Sequence, residues 1–204
     1  MPKHFSQKEK VQIRERLISV GLELFEKYGI GKTNVNDITE KAGISKGSFY
    51  AFFNSKGDLF MEIYRQEREK AHKEVLAEID NGETELTRLI SKYAAAMLKR
   101  LKEHPILDIV YDPAALMMIS DKSVKDRLLL FNEEINRQIT DMIEDWMERN
   151  GRYNIESKIV TKMFRSLNFL RFHDYAIGLE DFDEVLETMT RAVVEYIKNS
   201  KVKQ

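Results

Sequence analysis

The sequence predicts an all-α protein of about nine helices, and three observations predict it. Apolar residues recur at three- and four-residue spacing through nearly the whole chain. No Asn-Gly or Asp-Gly turn stands between alternating segments; Asn81-Gly82 lies between two helical patterns. Helix-stopping residues punctuate the patterns at Gly29, Gly43, Gly82, Pro105, Pro113 and Gly151.

In order, Ile13, Leu17, Val20, Leu24 and Tyr28 form the apolar stripe of a first helix, which Gly29 can terminate. Asn34, with Asp37 three places on, is a capping pair that opens a second helix. Ile38 and Ala42 share one face of it, and Gly43 lets the chain leave through a left-handed conformation. Ile44 plugs the turn and Ser45 caps a third helix, whose Phe49 and Phe53 face inward with Ile38 and Ala42. Ser55 followed by Asp58 starts a fourth helix, 55–79, which Asn81-Gly82 ends. At over twenty residues it spans about 30 Å, enough to connect an N-terminal domain to a companion domain. Beyond it the spacing predicts a helix over 83–104, short pieces over 106–111 and 113–119, and a long amphipathic helix over 123–150. That last helix carries Leu128, Phe131, Ile135, Ile139, Met142 and Trp146. Helices 155–178 and 182–199 complete the chain. The domains read as 1–56, a three-helix helix-turn-helix unit, and a larger helical unit, 57–204.

The near-neutral balance of 33 Lys/Arg against 34 Asp/Glu hides an asymmetry. Through Lys56 there are ten Lys/Arg against six Asp/Glu, and the remainder has 23 against 28. A basic module on an acidic companion is the charge footprint of nucleic-acid binding. Lys3, Lys8 and Lys10, ahead of the first helix, can reach phosphates or merely be solvated. The absence of cysteine excludes disulfides, thiolate metal sites and cysteine nucleophiles. No apolar run approaches the roughly 18 residues of a membrane helix, and the N-terminus lacks a signal-peptide core. The expectation is a cytoplasmic protein with no membrane partner.

Residues 33–59 carry the function. A helix-turn-helix needs a first helix across the DNA backbone, a tight turn, and a second helix whose first residues reach base edges. Lys46 sets a charge near the groove, and Gly47 lets backbone approach DNA closely. Ser48 and the Tyr50 hydroxyl can donate to phosphates or base edges. Lys56 and the backbone N–H groups after Ser55 form a phosphate site. The order Gly43-Ile44-Ser45-Lys46-Gly47-x-x-Tyr50-x-x-Phe53-x-x-Lys56-x-x-Leu59 resembles the signature of the tetracycline-repressor (TetR) family of bacterial transcription regulators. The resemblance covers about residues 10–65. It implies that Asn36, Lys46, Gly47 and Ser48 face the groove, with Ser45 among the DNA-binding residues. Thr33, Tyr50 and Lys56 take phosphate-contact positions. Two departures stand out: Phe52 where the family often has a polar ring such as His, and Thr39 where Ala is frequent.

Helices 155–178 and 182–199 carry more apolar surface than one core face needs, so they can pair with a second copy as a four-helix bundle. The resemblance implies the same homodimer, and with it a palindromic double-stranded DNA operator. The companion domain also has large, adaptable side chains suited to a small-molecule effector. Tyr93, Met97, Phe131, Trp146, Phe164 and Phe172 supply apolar lining, with Asn168 and Arg171 as polar groups. For each polar residue taken alone, a surface or core-satisfied role is the better reading, and it is as a set that they point to a pocket. Glu69 and His72 have the Glu-x-x-His spacing of helical di-metal sites, but no second pair exists, so no metal, cofactor or catalytic residue is expected. The reading is therefore a homodimeric repressor released by a ligand. The alternative is a regulator of the same fold controlled by a protein partner, and an enzyme is remote.

Overall fold

The structure, a computed structural model, describes residues 5–79, 88, 92–93, 95–96, 99–100, 103–110, 112–151, 153–170 and 181–202. The all-helical expectation holds. The helices are α1 (Gln7–Lys32), α2 (Val35–Ala42), α3 (Lys46–Phe49), α4 (Lys56–Ile79), a 3-10 helix (Pro105–Val110), α5 (Pro113–Met118), α6 (Lys122–Asn150), α7 (Ser157–Leu170) and α8 (Phe182–Asn199). The described residues between Arg88 and Glu103 are also helical. Among the described residues there is no strand, only an isolated bridge between Tyr153 and Lys201. The predicted helix 155–178 is described as far as Leu170, and its remainder lies outside the described residues.

The chain forms two compact units. One comprises residues up to Glu69 together with His104–Leu130, and the other Lys70–Glu103 with Phe131 to the C-terminus.

In the first unit, local capping sets each helix start. Ser6 and Glu9 form a capping box at α1, so Lys8 and Lys10 lie inside that helix rather than ahead of it. Gly29 interrupts α1 at φ 76°, a conformation that costs a glycine nothing. Ile13, Leu17, Val20 and Leu24 are buried, as their spacing requires, and so is Phe25. Tyr28 is instead half exposed, with Lys27 Nζ 5.0 Å from its ring centre. Gly29 ends the regular turn beside Tyr28, while Phe25 fills the core, its ring edge-on to Phe60 at 5.6 Å. Asn34 and Asp37 exchange hydrogen bonds at 3.0 Å, satisfying two orphan N–H groups of α2. Asn34→Ala should cost about 1 kcal/mol of stability. Chemical denaturation monitored by helical signal checks this, and an unchanged midpoint would show the box to be redundant.

Gly43 ends α2 in the left-handed region, φ 68°. Ser45 caps α3, its hydroxyl accepting from the Ser48 N–H at 3.1 Å. The core beneath contains Leu17, Ile38, Phe49, Leu59 and Tyr64, all essentially inaccessible to solvent. At the far side, α5 starts from Asp112 and Pro113, and α6 from Asp121, whose carboxylate accepts from the Ser123 N–H at 2.9 Å. Arg127 on α6 pairs with Asp58 on α4 at 2.7 Å. Gly57, the residue before Asp58, is buried against Val124, one turn before Arg127.

The core of the second unit is Ile135, Ile139, Ile143, Trp146, Met147, Val160 and Ile197. The first five lie on α6 at helical spacing, so one stripe of that helix faces α7 and α8. A polar seam runs beside it: Thr140 donates to Thr161 at 2.9 Å, and Ser157 donates to Glu144 at 3.3 Å.

Candidate nucleic-acid interface

The turn between α2 and α3 is built as the sequence requires. The Gly43 N–H donates to the Glu40 carbonyl at 3.1 Å and the Ile44 N–H to the Thr39 carbonyl at 3.0 Å, closing α2. Regular α3 is a single turn. It continues through i to i+3 and i+4 backbone bonds up to Phe53, so the recognition segment is longer than the regular helix. Phe49 and Phe53 anchor it with rings 5.9 Å apart, and Arg14 lies 5.3 Å over the Phe53 ring. Arg16 donates to the Ala42 carbonyl at 3.2 Å, so α1 also grips the end of α2.

This anchoring turns the opposite side outward. Asn36, Ser45, Lys46, Gly47 and Tyr50 are exposed and Ser48 is half-buried. A Cβ placed on Gly47 would meet only the Ser45 hydroxyl, at 3.9 Å, so that backbone is open to an approaching duplex. Tyr50 is half exposed and rests edge-on against Phe49 at 5.4 Å, which steadies its ring and leaves the hydroxyl outside. The hydroxyls of Ser45 and Ser48 are 2.8 Å apart, so Ser45 is engaged chiefly as a cap.

Two predicted phosphate contacts are placed differently. Thr33 is 2 % exposed, and its hydroxyl donates inward to the Gly29 carbonyl at 2.9 Å and the Leu24 carbonyl at 3.2 Å. A hydroxyl so buried and so engaged holds the end of α1 and does not face solvent. Lys56 is partly buried, and its Nζ donates to the Ile30 and Thr33 carbonyls, both at 2.6 Å. Burial pushes its pKa below the ordinary lysine value, opposed by the nearby charge of Asp37. Phe52, the departure from the family pattern, packs against Phe5 with ring centres 6.1 Å apart. Thr39 is buried and bonds the Asn36 carbonyl at 3.1 Å, which satisfies its extra hydroxyl within the helix.

In the second unit, four of the predicted effector residues come together. Trp146 belongs to the buried cluster, and Tyr93, Phe131 and Phe164 pack against it. Met97, Arg171 and Phe172 lie outside the described residues, as does the side chain of Asn168. An open groove of about 1000 Å³ adjoins that cluster and is lined by Thr140, Glu144, Met147, Tyr153, Ile155 and Lys158, none of them in the predicted set. Sequence reasoning missed it because the α6–α7 connection meets α6 only through the tertiary turn. Glu69 pairs with Arg65 at 3.1 Å on the surface of α4.

No helix among the described residues is long and apolar enough to cross a membrane.

Comparison with known proteins agrees with the geometry. Residues 17–63, spanning the core of the first unit and the whole turn, match the family described as "Bacterial regulatory proteins, tetR family". The transcriptional regulator AcrR of Shigella flexneri is 32% identical over 81 residues, 40% of this chain and 33% of that protein. The transcriptional repressor KstR2 of Mycolicibacterium smegmatis is 23% identical over 166 residues, covering 81% of this chain and 80% of that one. The chain thus spans about a third of the first curated relatives it matches, with likeness extending further at lower identity. The transcriptional regulator FadR from Bacillus subtilis, solved in complex with stearoyl-CoA, superposes with a TM-score of 0.68. It has 13% identity and covers 90% of this chain and 96% of that one, a likeness of fold. The curated relatives are named as regulators of transcription, not as enzymes. The matched domain and the turn geometry together identify residues 17–63 as a domain of the tetR family of bacterial regulatory proteins.

Proposed function

We propose that the protein is a homodimeric, sequence-specific DNA-binding repressor of transcription whose operator binding is relieved by a small molecule. The observation that carries the reading is the outward face of the turn. Lys46, Gly47, Ser48 and Tyr50 are presented on a segment locked from behind by Phe49 and Phe53, with Asn36 exposed on α2 before it. The named functions of the relatives support it.

Dimerisation is supported by two matching stripes. On α7, Ile159, Met163, Ser166 and Leu170 are exposed or half-buried at four-three-four spacing, while Val160 and Leu167 fill the protein's own core. On α8, Val185, Met189, Ala192 and Tyr196 repeat that spacing, outside a core formed by Phe182, Leu186 and Ile197. Such spacing suits knobs-into-holes packing against a second copy. The domains divide the work as the sequence implies, with residues 1–56 reading DNA and 57–204 pairing and binding the effector. For the effector, the aromatic cluster of Tyr93, Phe131, Trp146 and Phe164 is the apolar environment to probe. A fold neighbour solved with stearoyl-CoA supports an acyl-type ligand among the first candidates.

Selection of bound oligonucleotides followed by footprinting tests the reading. A two-fold dimer should protect a palindrome with half-sites about 34–36 Å apart, or a multiple of that. Lys46→Ala or Ser48→Ala should alter base preference by roughly 1–3 kcal/mol, whereas Tyr50→Phe should weaken specific and random DNA alike. Met189→Glu should yield monomers in sedimentation and lose operator binding. A monomer protecting one asymmetric half-site would overturn the proposal.

A further inference from the structure

Gly29 breaks α1 one turn before its end, and the carbonyls that follow have no further helical N–H to accept from. Five contacts meet there. The Thr33 N–H and hydroxyl both reach the Gly29 carbonyl, at 3.2 and 2.9 Å, and the hydroxyl also reaches Leu24. The carbonyls of Ile30 and Thr33 are taken by one group, the Lys56 ammonium, at 2.6 Å each. Ile30 is itself buried, so this part of the backbone is fixed from both sides. Thr33 is the residue before Asn34, the cap of α2, while Lys56 is the first residue of α4. A single cation therefore joins the end of α1, the entry to the helix-turn-helix and the start of α4. Hydrogen bonds with an ionised donor are about twice as strong as neutral ones, and partial burial protects these from competition by water.

We infer that Lys56 is a positioning residue of the DNA-reading unit: it holds α2 in place relative to α4 through the Ile30 and Thr33 carbonyls, and is not a phosphate ligand. The inference rests on the DNA-binding reading but assigns Lys56 a different role from the one its place in the signature implies. The two roles leave different traces. A lysine that neutralises a phosphate releases a counterion on binding, so its loss flattens the plot of log affinity against log salt by roughly 0.9. A lysine that orients the reading helices leaves that slope alone and lowers affinity equally at every salt concentration.

The test uses the full chain with Lys56→Met, which keeps the stem and removes the donors, and Lys56→Arg, which keeps donors and charge. Binding to the selected operator is measured across a salt series, well below the thermal midpoint of each variant. For Lys56→Met the expected result is a lower midpoint without DNA, a several-fold loss of affinity in the folded protein, and an unchanged slope. Lys56→Arg should recover part of both losses. A slope flattened by about one contact would overturn the inference, whatever the midpoint does. So would unaltered affinity at unaltered slope, which would leave Lys56 with a purely structural role. If Lys56→Met does not fold, the unaltered protein decides through the lysine ammonium resonance of Lys56, followed in free and operator-bound forms. An unchanged signal supports positioning, and a coupling to phosphorus across the interface overturns it. Failure of the unaltered protein to bind any DNA would instead remove the reading beneath the inference, an outcome distinct from these.

Discussion

Phe49→Ala should lower stability by about 3–5 kcal/mol and abolish specific DNA binding at ordinary temperatures. The ring is wholly buried at the centre of the first unit and touches Phe53 and Tyr50, with ring centres at 5.9 and 5.4 Å. Removing it costs the transfer free energy of the ring and leaves a cavity that the short α3 cannot close without moving. A loss of that size is a large fraction of the 5–15 kcal/mol that holds a typical domain together. It also removes the support behind the exposed hydroxyl of Tyr50. Urea denaturation of the full chain and gel-shift titration below the new midpoint measure the two effects. A change under 1 kcal/mol with operator binding intact would show that α3 is not held from behind as described.

Gly57→Ala tests the second large effect, because two physical terms predict opposite signs for it. In a helix, alanine is favoured over glycine by up to about 1 kcal/mol, so propensity alone predicts a more stable protein. A Cβ at this position, however, overlaps Val124 Cγ2, and Val124 is fully buried. A β-branched side chain in a packed site has no alternative rotamer to retreat into, and overpacking of this kind costs roughly 1–3 kcal/mol. The steric term should win. Val124→Ala introduced together with Gly57→Ala should recover part of the loss, whereas Val124→Ala alone should be destabilising through its cavity. A double-mutant cycle measured by denaturation reads this coupling. Additive effects would mean that α4 and the start of α6 are not in contact there.

Most of what depends on residues three or four apart was legible in the chain, the Ser6–Glu9 box that draws Lys8 and Lys10 into α1 being an exception. The Asn34–Asp37 box, the left-handed Gly43, the Ser45 cap and the pairing of Phe49 with Phe53 are all set by helical geometry within one turn. So were the breaks at Gly29 and Gly151 and the start at Pro113, because glycine and proline act on their own backbone. These local rules determined the helix order and the exposed reading face, including Asn36, Lys46, Gly47 and Tyr50.

What tertiary structure decided involves partners distant in sequence. The amphipathic pattern allowed Tyr28 on the core stripe, but Tyr28 is half exposed and Phe25 is buried, against Phe60 thirty-five positions away. Thr33 and Lys56 are polar residues whose positions suggest phosphate, yet their donors turn to carbonyls at the end of α1 and at the entry to α2. The segment 104–130 shows no sequence mark of belonging with the first unit, but Asp58–Arg127 and Gly57–Val124 bring it there. A periodic pattern states which face of a helix is apolar and does not state what covers that face. Which partner fills it, and where a buried donor finds its acceptor, is settled only when all the helices compete for the same space.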